Sequence, residues 1–324
     1  MARYSFTEDL KQYGPQAALT DPIGLRQARR YCRRLARSHY ENFTVVSWGL
    51  PRRLRQHFYN IYAYCRWADN LADLAPDPRH ALVWLSWWES HLRACFQNRA
   101  IHPVFIALQE TIQQFRIPPD PFLDLLVAFR QDQQVTRYDT FDQLLAYCRY
   151  SANPVGRLVL YTAECYDPQR AALSDAICTG LQLANFWQDV AEDWKKGRIY
   201  IPLAHLRRFG GDETPIIRGV VTPTFQRALA AACDEAEGWL LRGRPLIGLV
   251  PSFLRLDVAL FIEGGLAILR AIRQRDYDVL SQRPMLSRWQ KLGLVLRTWW
   301  NVRIRRAIPA SESSSATFPP FPSG

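Results

Sequence analysis

The chain has 324 residues, 48% hydrophobic and 22% charged, a length and balance that bury a sizeable core and exclude a disordered or fibrous body. Lysine and arginine number 41 against 30 acidic residues, a formal net charge of +11, so the expected partner is anionic: nucleic acid, lipid headgroups or a phosphorylated small molecule. The 7 cysteines form no CxxC pair and no zinc spacing with histidine, which argues against a disulfide framework or structural zinc and for a reducing compartment.

From the amino terminus, Arg3, Glu8, Asp9 and Lys11 leave no room for an apolar signal region, so no secretory leader is expected. Residues 23–40 carry helical spacing, with Ile23, Ala28, Tyr31, Leu35 and Ala36 on one side and arginines around the rest. Pro51 opens a segment over 52–74 that ends before Pro76 and Pro78. Further helices are predicted over 81–97, 103–115, 121–134, 141–151, 154–165, 171–194, 223–242, 254–273 and 287–305. Strand signals are nearly absent, so the fold class is all-α. The apolar stretch over 246–269 is interrupted by Pro251, Arg255, Asp257 and Glu263, and reads as buried helix rather than membrane span. No long linker divides the chain, so one all-α domain over 1–308 is expected, followed by a disordered Ser/Pro-rich tail over 309–324.

Two acidic pairs carry the chemistry. Asp69 and Asp73 stand at i and i+4 within an apolar-aromatic helix, and Asp189 and Asp193 repeat the spacing in GLQLANFWQDVAEDWKKGR. Like charges at that spacing destabilise a bare helix by a few tenths of a kcal/mol, a penalty that a cation reverses. A single such pair more often means a solvated face or an ion pair with Lys or Arg. Two of them, on facing helices, fit Mg²⁺, a hard ion held by one or two carboxylates plus substrate phosphates. Arg66, three residues before Asp69, offers a planar fork to phosphate, though a surface pair with Asp69 or Asp73 is an equally good reading in isolation. Gln182 and Asn185 share a helix face with Asp189, and Arg198 follows Gly197 at the helix end, placed to clamp a diphosphate.

These residues resemble the squalene/phytoene synthase family, over about residues 25 to 300. Within the family the stretches HYENFTVVSWGLPRRLR, YCRYSANPVGRL and LQLANFWQDVAEDWKKGRIYIPL are most similar to the hydroxysqualene synthases of bacterial hopanoid biosynthesis. The resemblance implies an isoprenoid synthase type helical bundle around a central cavity. It implies that Asp69, Asp73, Asp189 and Asp193 bind a Mg²⁺ cluster, with Arg66, Gln182, Asn185 and Arg198 around the diphosphate. It also implies that Tyr147 lines the reacting end, and that Phe43, beside His39, lines the prenyl tunnel. Three positions depart from the family pattern: Asn70 stands for a second acid, Gln188 for a basic residue, and SANPVG for VAGTVG. The last favours the hopanoid branch.

The activity so implied is conversion of presqualene diphosphate and water to hydroxysqualene and diphosphate. Water capture requires no redox cofactor, so no NADPH is expected. Alternatives are a head-to-head prenyl transferase making presqualene diphosphate, squalene or phytoene, or a non-catalytic assembly factor of the same fold. Trp48, Tyr59, Tyr62, Tyr64, Phe129, Tyr150, Phe186 and Trp187 are available beside Tyr147 to face a carbocation, although most large aromatics serve packing. The expected partners are an isoprenoid diphosphate, a peripheral membrane surface and other enzymes of the hopanoid pathway, and no nucleic acid. The expected location is cytoplasmic, with peripheral contact to the inner membrane through GLVLRTWWNVRIRR, whose tryptophans and arginines suit an anionic interface or, equally, a terminal helix packed on the bundle.

Overall fold

The computed structural model describes residues 6–17, 23–38 and 50–304, and among them every regular element is a helix. They run α1 (Phe6–Tyr13), α2 (Leu25–Ser38), α3 (Arg52–Asp73), α4 (Pro78–Phe96), α5 (Pro103–Phe115), α6 (Asp120–Gln131), α7 (Phe141–Ser151) and α8 (Asn153–Thr162). After these come α9 (Pro168–Gln188), α10 (Val190–Lys195), α11 (Leu203–Arg208), α12 (Thr214–Arg218), α13 (Pro223–Arg242), α14 (Leu246–Leu249), α15 (Arg255–Arg273) and α16 (Arg288–Ile304). The tail over 309–324 lies outside the described residues.

Capping chemistry sets several helix starts. Asp77 accepts from the amides of Arg79 and His80, and Asp167 from that of Arg170, in each case with proline at the first helical position. These caps begin α4 and α9 three residues earlier than the hydrophobic periodicity indicates. Thr140 and Gln143 form a reciprocal capping box at the start of α7. The predicted continuous helix over 171–194 divides at Asp189, whose φ of −103° and ψ of 14° end α9 and precede α10. The amide of Asp193 still donates to the carbonyl of Asp189 at 2.8 Å, so the joint is a local kink and both carboxylates stay on neighbouring turns.

Two clusters of buried side chains make the core. One gathers α1 to α6 around Trp67 and Trp88, whose rings stack 5.3 Å apart. The other gathers α7 to α15 around Trp187 and Phe225. They meet at α8, where Leu158 belongs to the first and Leu160 to the second. α9 is the central helix, packed against α8, α13 and α15. Its closeness to α13 requires Gly180, because a Cβ there would stand 2.8 Å from the backbone nitrogen of Leu240. α3 occupies the same position in the first half, against α2, α4, α5, α6 and α8. The two acidic pairs lie at the carboxyl ends of these two central helices. All 7 cysteines are free thiols.

Candidate active site

Arg66, Asp69 and Asp73 occupy one face of the last two turns of α3. Arg66 donates through Nη1 to Asp69 at 2.8 Å, while its Nε is buried without an acceptor. Burial and then the charge of Asp73 hold the Asp69 carboxyl above the usual range, against the lowering pull of Arg66. Asp73 is the final residue of the helix and is exposed to solvent.

On the facing side, Gln182 and Asn185 lead along α9 to Asp189 at its carboxyl end, and Asp193 follows one turn into α10. Burial, and then Asp189, push the Asp193 carboxyl up to about 7. Gly197, at a φ of +77°, reverses the chain and delivers Arg198 back toward the site. Instead of standing free to clamp an anion, Arg198 donates to the main-chain carbonyl of Asp132 at 3.0 Å.

The structure brings the two sides together at a residue that spacing arguments passed over. Asp132 caps the carboxyl end of α6, and its Oδ1 is buried with no hydrogen-bond partner. Its carboxyl is pushed up to about 6, by burial first; Tyr147 and Arg198 lower it, and Asp73 and Asp69 raise it. Asp132 in turn raises Asp193, and Lys196 lowers both Asp69 and Asp193, so α3, α6 and α10 present their acids to one space. Asp73, Asp132 and Asp189 each sit where a helix ends, and a helix carboxyl end already carries about half a negative charge. Three such ends, each bearing a carboxylate, attract cations, and the chain's own Arg198 and Arg283 already answer two of them.

Arg283, in the segment after α15, was likewise not evident from the sequence, because it belongs to no periodic element. It forms a two-pronged pair with Asp189, and the adjoining Pro284 carbonyl accepts from the buried side chain of Gln188. These tertiary contacts explain the break between α9 and α10. Among the described residues, no three His, Cys, Asp or Glu side chains gather tightly enough to hold an ion by themselves. The donor set nevertheless fits Mg²⁺: hard carboxylate oxygens in pairs, an orphaned Asp132 oxygen and an Arg66 N–H without an acceptor leave coordination to be completed by phosphate and water.

Aromatic rings back the acids. Tyr147 donates to Asp132, and Tyr138, Phe186 and Tyr200 surround it at centroid distances of 5.6, 6.1 and 6.0 Å. Phe186 stacks on Tyr200 at 3.8 Å. Of the other candidate aromatics, Tyr64 and Trp187 belong to the core, their polar atoms donating to the carbonyls of Phe122 and Ala232. Beside Asn185 and Gln188, an apolar groove of about 240 Å³ runs between α9 and α15, floored by Gly264 and Gly265 and walled by Leu181, Leu260, Phe261 and Ile268. His39, Phe43 and Trp48 lie outside the described residues.

A sequence profile of the squalene/phytoene synthase family matches residues 36–290. The crystal structure of squalene synthase HpnC from Alicyclobacillus acidocaldarius superposes with a TM-score of 0.76 at 47% identity, over 79% of this chain and 97% of that one. Hydroxysqualene synthase of Sinorhizobium fredii is 33% identical over 275 residues, 83% of this chain and 91% of the relative. Phytoene synthase of Arthrospira platensis is 28% identical over 296 residues, 87% and 95% of the two chains. This chain belongs to the squalene/phytoene synthase family and has the all-α fold of the isoprenoid synthases.

Proposed function

We propose that the chain converts presqualene diphosphate and water to hydroxysqualene and diphosphate. The observation that supports this reading is that Asp69, Asp73 and Asp193 all lie within electrostatic reach of Asp132, with Asp189 acting in turn on Asp193. Asp69, Asp73, Asp189 and Asp193 would hold Mg²⁺, which when bound supplies positive charge to the departing diphosphate. Arg66, held on Asp69 and with its Nε–H left without an acceptor, orients the phosphate oxygens. The carbon–oxygen bond breaks with its electron pair leaving on diphosphate. The rings of Tyr147, Phe186 and Tyr200 stabilise the cyclopropylcarbinyl cation so formed, which rearranges with opening of its three-membered ring to an allylic cation, and they keep bulk water away. One admitted water adds to the cation, and Asp132, held by the Tyr147 hydroxyl, accepts its proton. Gln182 and Asn185 line the approach from α9, and the groove between α9 and α15 receives hydrocarbon.

The hydroxysqualene outcome is supported by the SANPVG stretch and by the hydroxysqualene synthases at 33% identity. Relatives that are phytoene synthases favour a second reading, head-to-head condensation of prenyl diphosphates. Retention of both acidic pairs speaks against a non-catalytic assembly factor. The test is incubation with presqualene diphosphate and with farnesyl diphosphate separately, with Mg²⁺, with and without NADPH, and products read by mass. Hydroxysqualene from presqualene diphosphate without NADPH is expected; squalene formed only with NADPH, or turnover of prenyl diphosphates alone, favours the second reading.

A further inference from the structure

The last described helix leaves its largest apolar side chains uncovered. α16 packs on α15, and the side it turns inward carries Leu294, Arg297, Thr298 and Asn301. Thr298 is buried and Leu294 half-buried, while Arg297 and Asn301, themselves exposed, edge a cavity of about 410 Å³ shared with Glu237, Arg244, Glu263 and Arg270. The opposite side follows the i, i+3, i+7, i+11 spacing of one helix face and holds Trp289, Leu292, Leu296, Trp299 and Trp300. Trp289 is 81% exposed, Trp300 59% and Leu296 58%. A helix serving only to cover the bundle would bury those large apolar side chains.

We infer that this outward face of α16 docks on the surface of an anionic lipid bilayer. Tryptophan and leucine suit the headgroup–acyl boundary, and the surrounding cations supply the electrostatic half of the attraction. Arg288, Lys291 and Arg303 rim the face, all exposed, and Arg303 lies over the Trp299 ring at 4.3 Å. No residue from 279 to 311 is acidic, so the segment itself brings no carboxylate toward anionic headgroups. A second copy of the chain fits the face poorly, because a symmetric pairing sets Arg288, Lys291 and Arg303 against their own counterparts. At 17 residues α16 is about 25 Å long and lies along the surface; no helix among the described residues is long and apolar enough to cross a membrane. α15 separates α16 from the apolar groove, so docking sets that groove about one helix diameter, roughly 10 Å, from the lipid. The inference stands on α16 alone and does not depend on the reaction assigned above.

The experiment is co-sedimentation of the full-length protein with phosphatidylcholine vesicles, against vesicles of phosphatidylcholine and phosphatidylglycerol mixed two to one. The protein should pellet with the anionic vesicles and largely remain in solution with the neutral ones. Trp289→Ser combined with Trp300→Ser should weaken partition at least about tenfold, with the helical circular dichroism unchanged. Arg288→Glu with Lys291→Glu should weaken it too and remove its salt sensitivity. As a readout needing no variant, bromine-labelled acyl chains in the anionic vesicles should quench tryptophan fluorescence of the unaltered protein. Absence of pelleting with anionic vesicles, equal pelleting with both kinds, undiminished partition of the tryptophan variant, or a dimer split by the same substitutions would each overturn the inference.

Discussion

Arg283 donates through Nε and Nη2 to both carboxylate oxygens of Asp189, and so fastens the segment after α15 to the joint between α9 and α10. A guanidinium thus stands against an acid that the proposed reaction needs for a metal ion. On the proposed reading a cation at Asp189 competes with this fork, which is then free to pair with the diphosphate. Arg283→Ala is therefore expected to lower the Mg²⁺ concentration for half-maximal rate while reducing kcat/KM by about tenfold to a hundredfold. Initial-rate titrations of Mg²⁺ and of substrate separate the two effects; an unchanged Mg²⁺ requirement would show that the pair does not compete with metal.

Asp132 and Tyr147 give a dependence on pH. With the Asp132 carboxyl at about 6, the proton-accepting form is lost as pH falls through that value, so kcat should decline on its acid side. The Tyr147 hydroxyl lowers that carboxyl, so Tyr147→Phe should move the acid limb to higher pH. Asp132→Asn keeps the size of the side chain and removes the base, and should cost about a hundredfold or more in kcat with the acid limb abolished. A pH–rate profile identical in all three proteins would remove Asp132 from the mechanism.

Asp257 predicts a stability effect remote from these acids. It is only 2% exposed on α15, its Oδ2 has no hydrogen-bond partner, and burial pushes its carboxyl up to about 7. Between the ordinary carboxylate range and about 7 the folded state holds a proton that the unfolded state releases, so stability falls as pH rises across that window. The loss is on the order of 2–4 kcal/mol. Asp257→Asn should flatten this slope, so that the variant gains several degrees in Tm relative to the parent between about pH 5 and about pH 8. Thermal melts at the two pH values check it; parallel slopes would place the proton elsewhere.

Residues that belong to a regular pattern were legible in the sequence. The i, i+4 spacing of Asp69 with Asp73 and of Asp189 with Asp193 marked both acidic pairs, and hydrophobic periodicity located the helices that carry them. Asp132 was not legible because a carboxyl-end cap has no periodic signature, and its significance depends on α3 arriving from elsewhere in the chain. Arg283 was hidden for the same reason, and with it the kink at Asp189, which is imposed by contacts to Gln188 and Asp189 across 94 or more residues. Local propensity alone continues that helix. The early starts of α4 and α9 were legible in principle, since Asp77 with Pro78 and Asp167 with Pro168 are capping pairs, but apolar spacing drew the boundary at the first core residue instead.

The central claim is that the acids at the ends of α3 and α9 jointly hold divalent ions against a diphosphate. Calorimetric titration of inorganic diphosphate into the protein, with and without Mg²⁺, tests it without requiring turnover or the identity of the product. Binding should appear only with Mg²⁺, and Asp69→Asn or Asp193→Asn, each on a different side of the site, should weaken it at least about a hundredfold while the fold is retained. Diphosphate binding of equal strength without Mg²⁺, or unaltered in both variants, would contradict it.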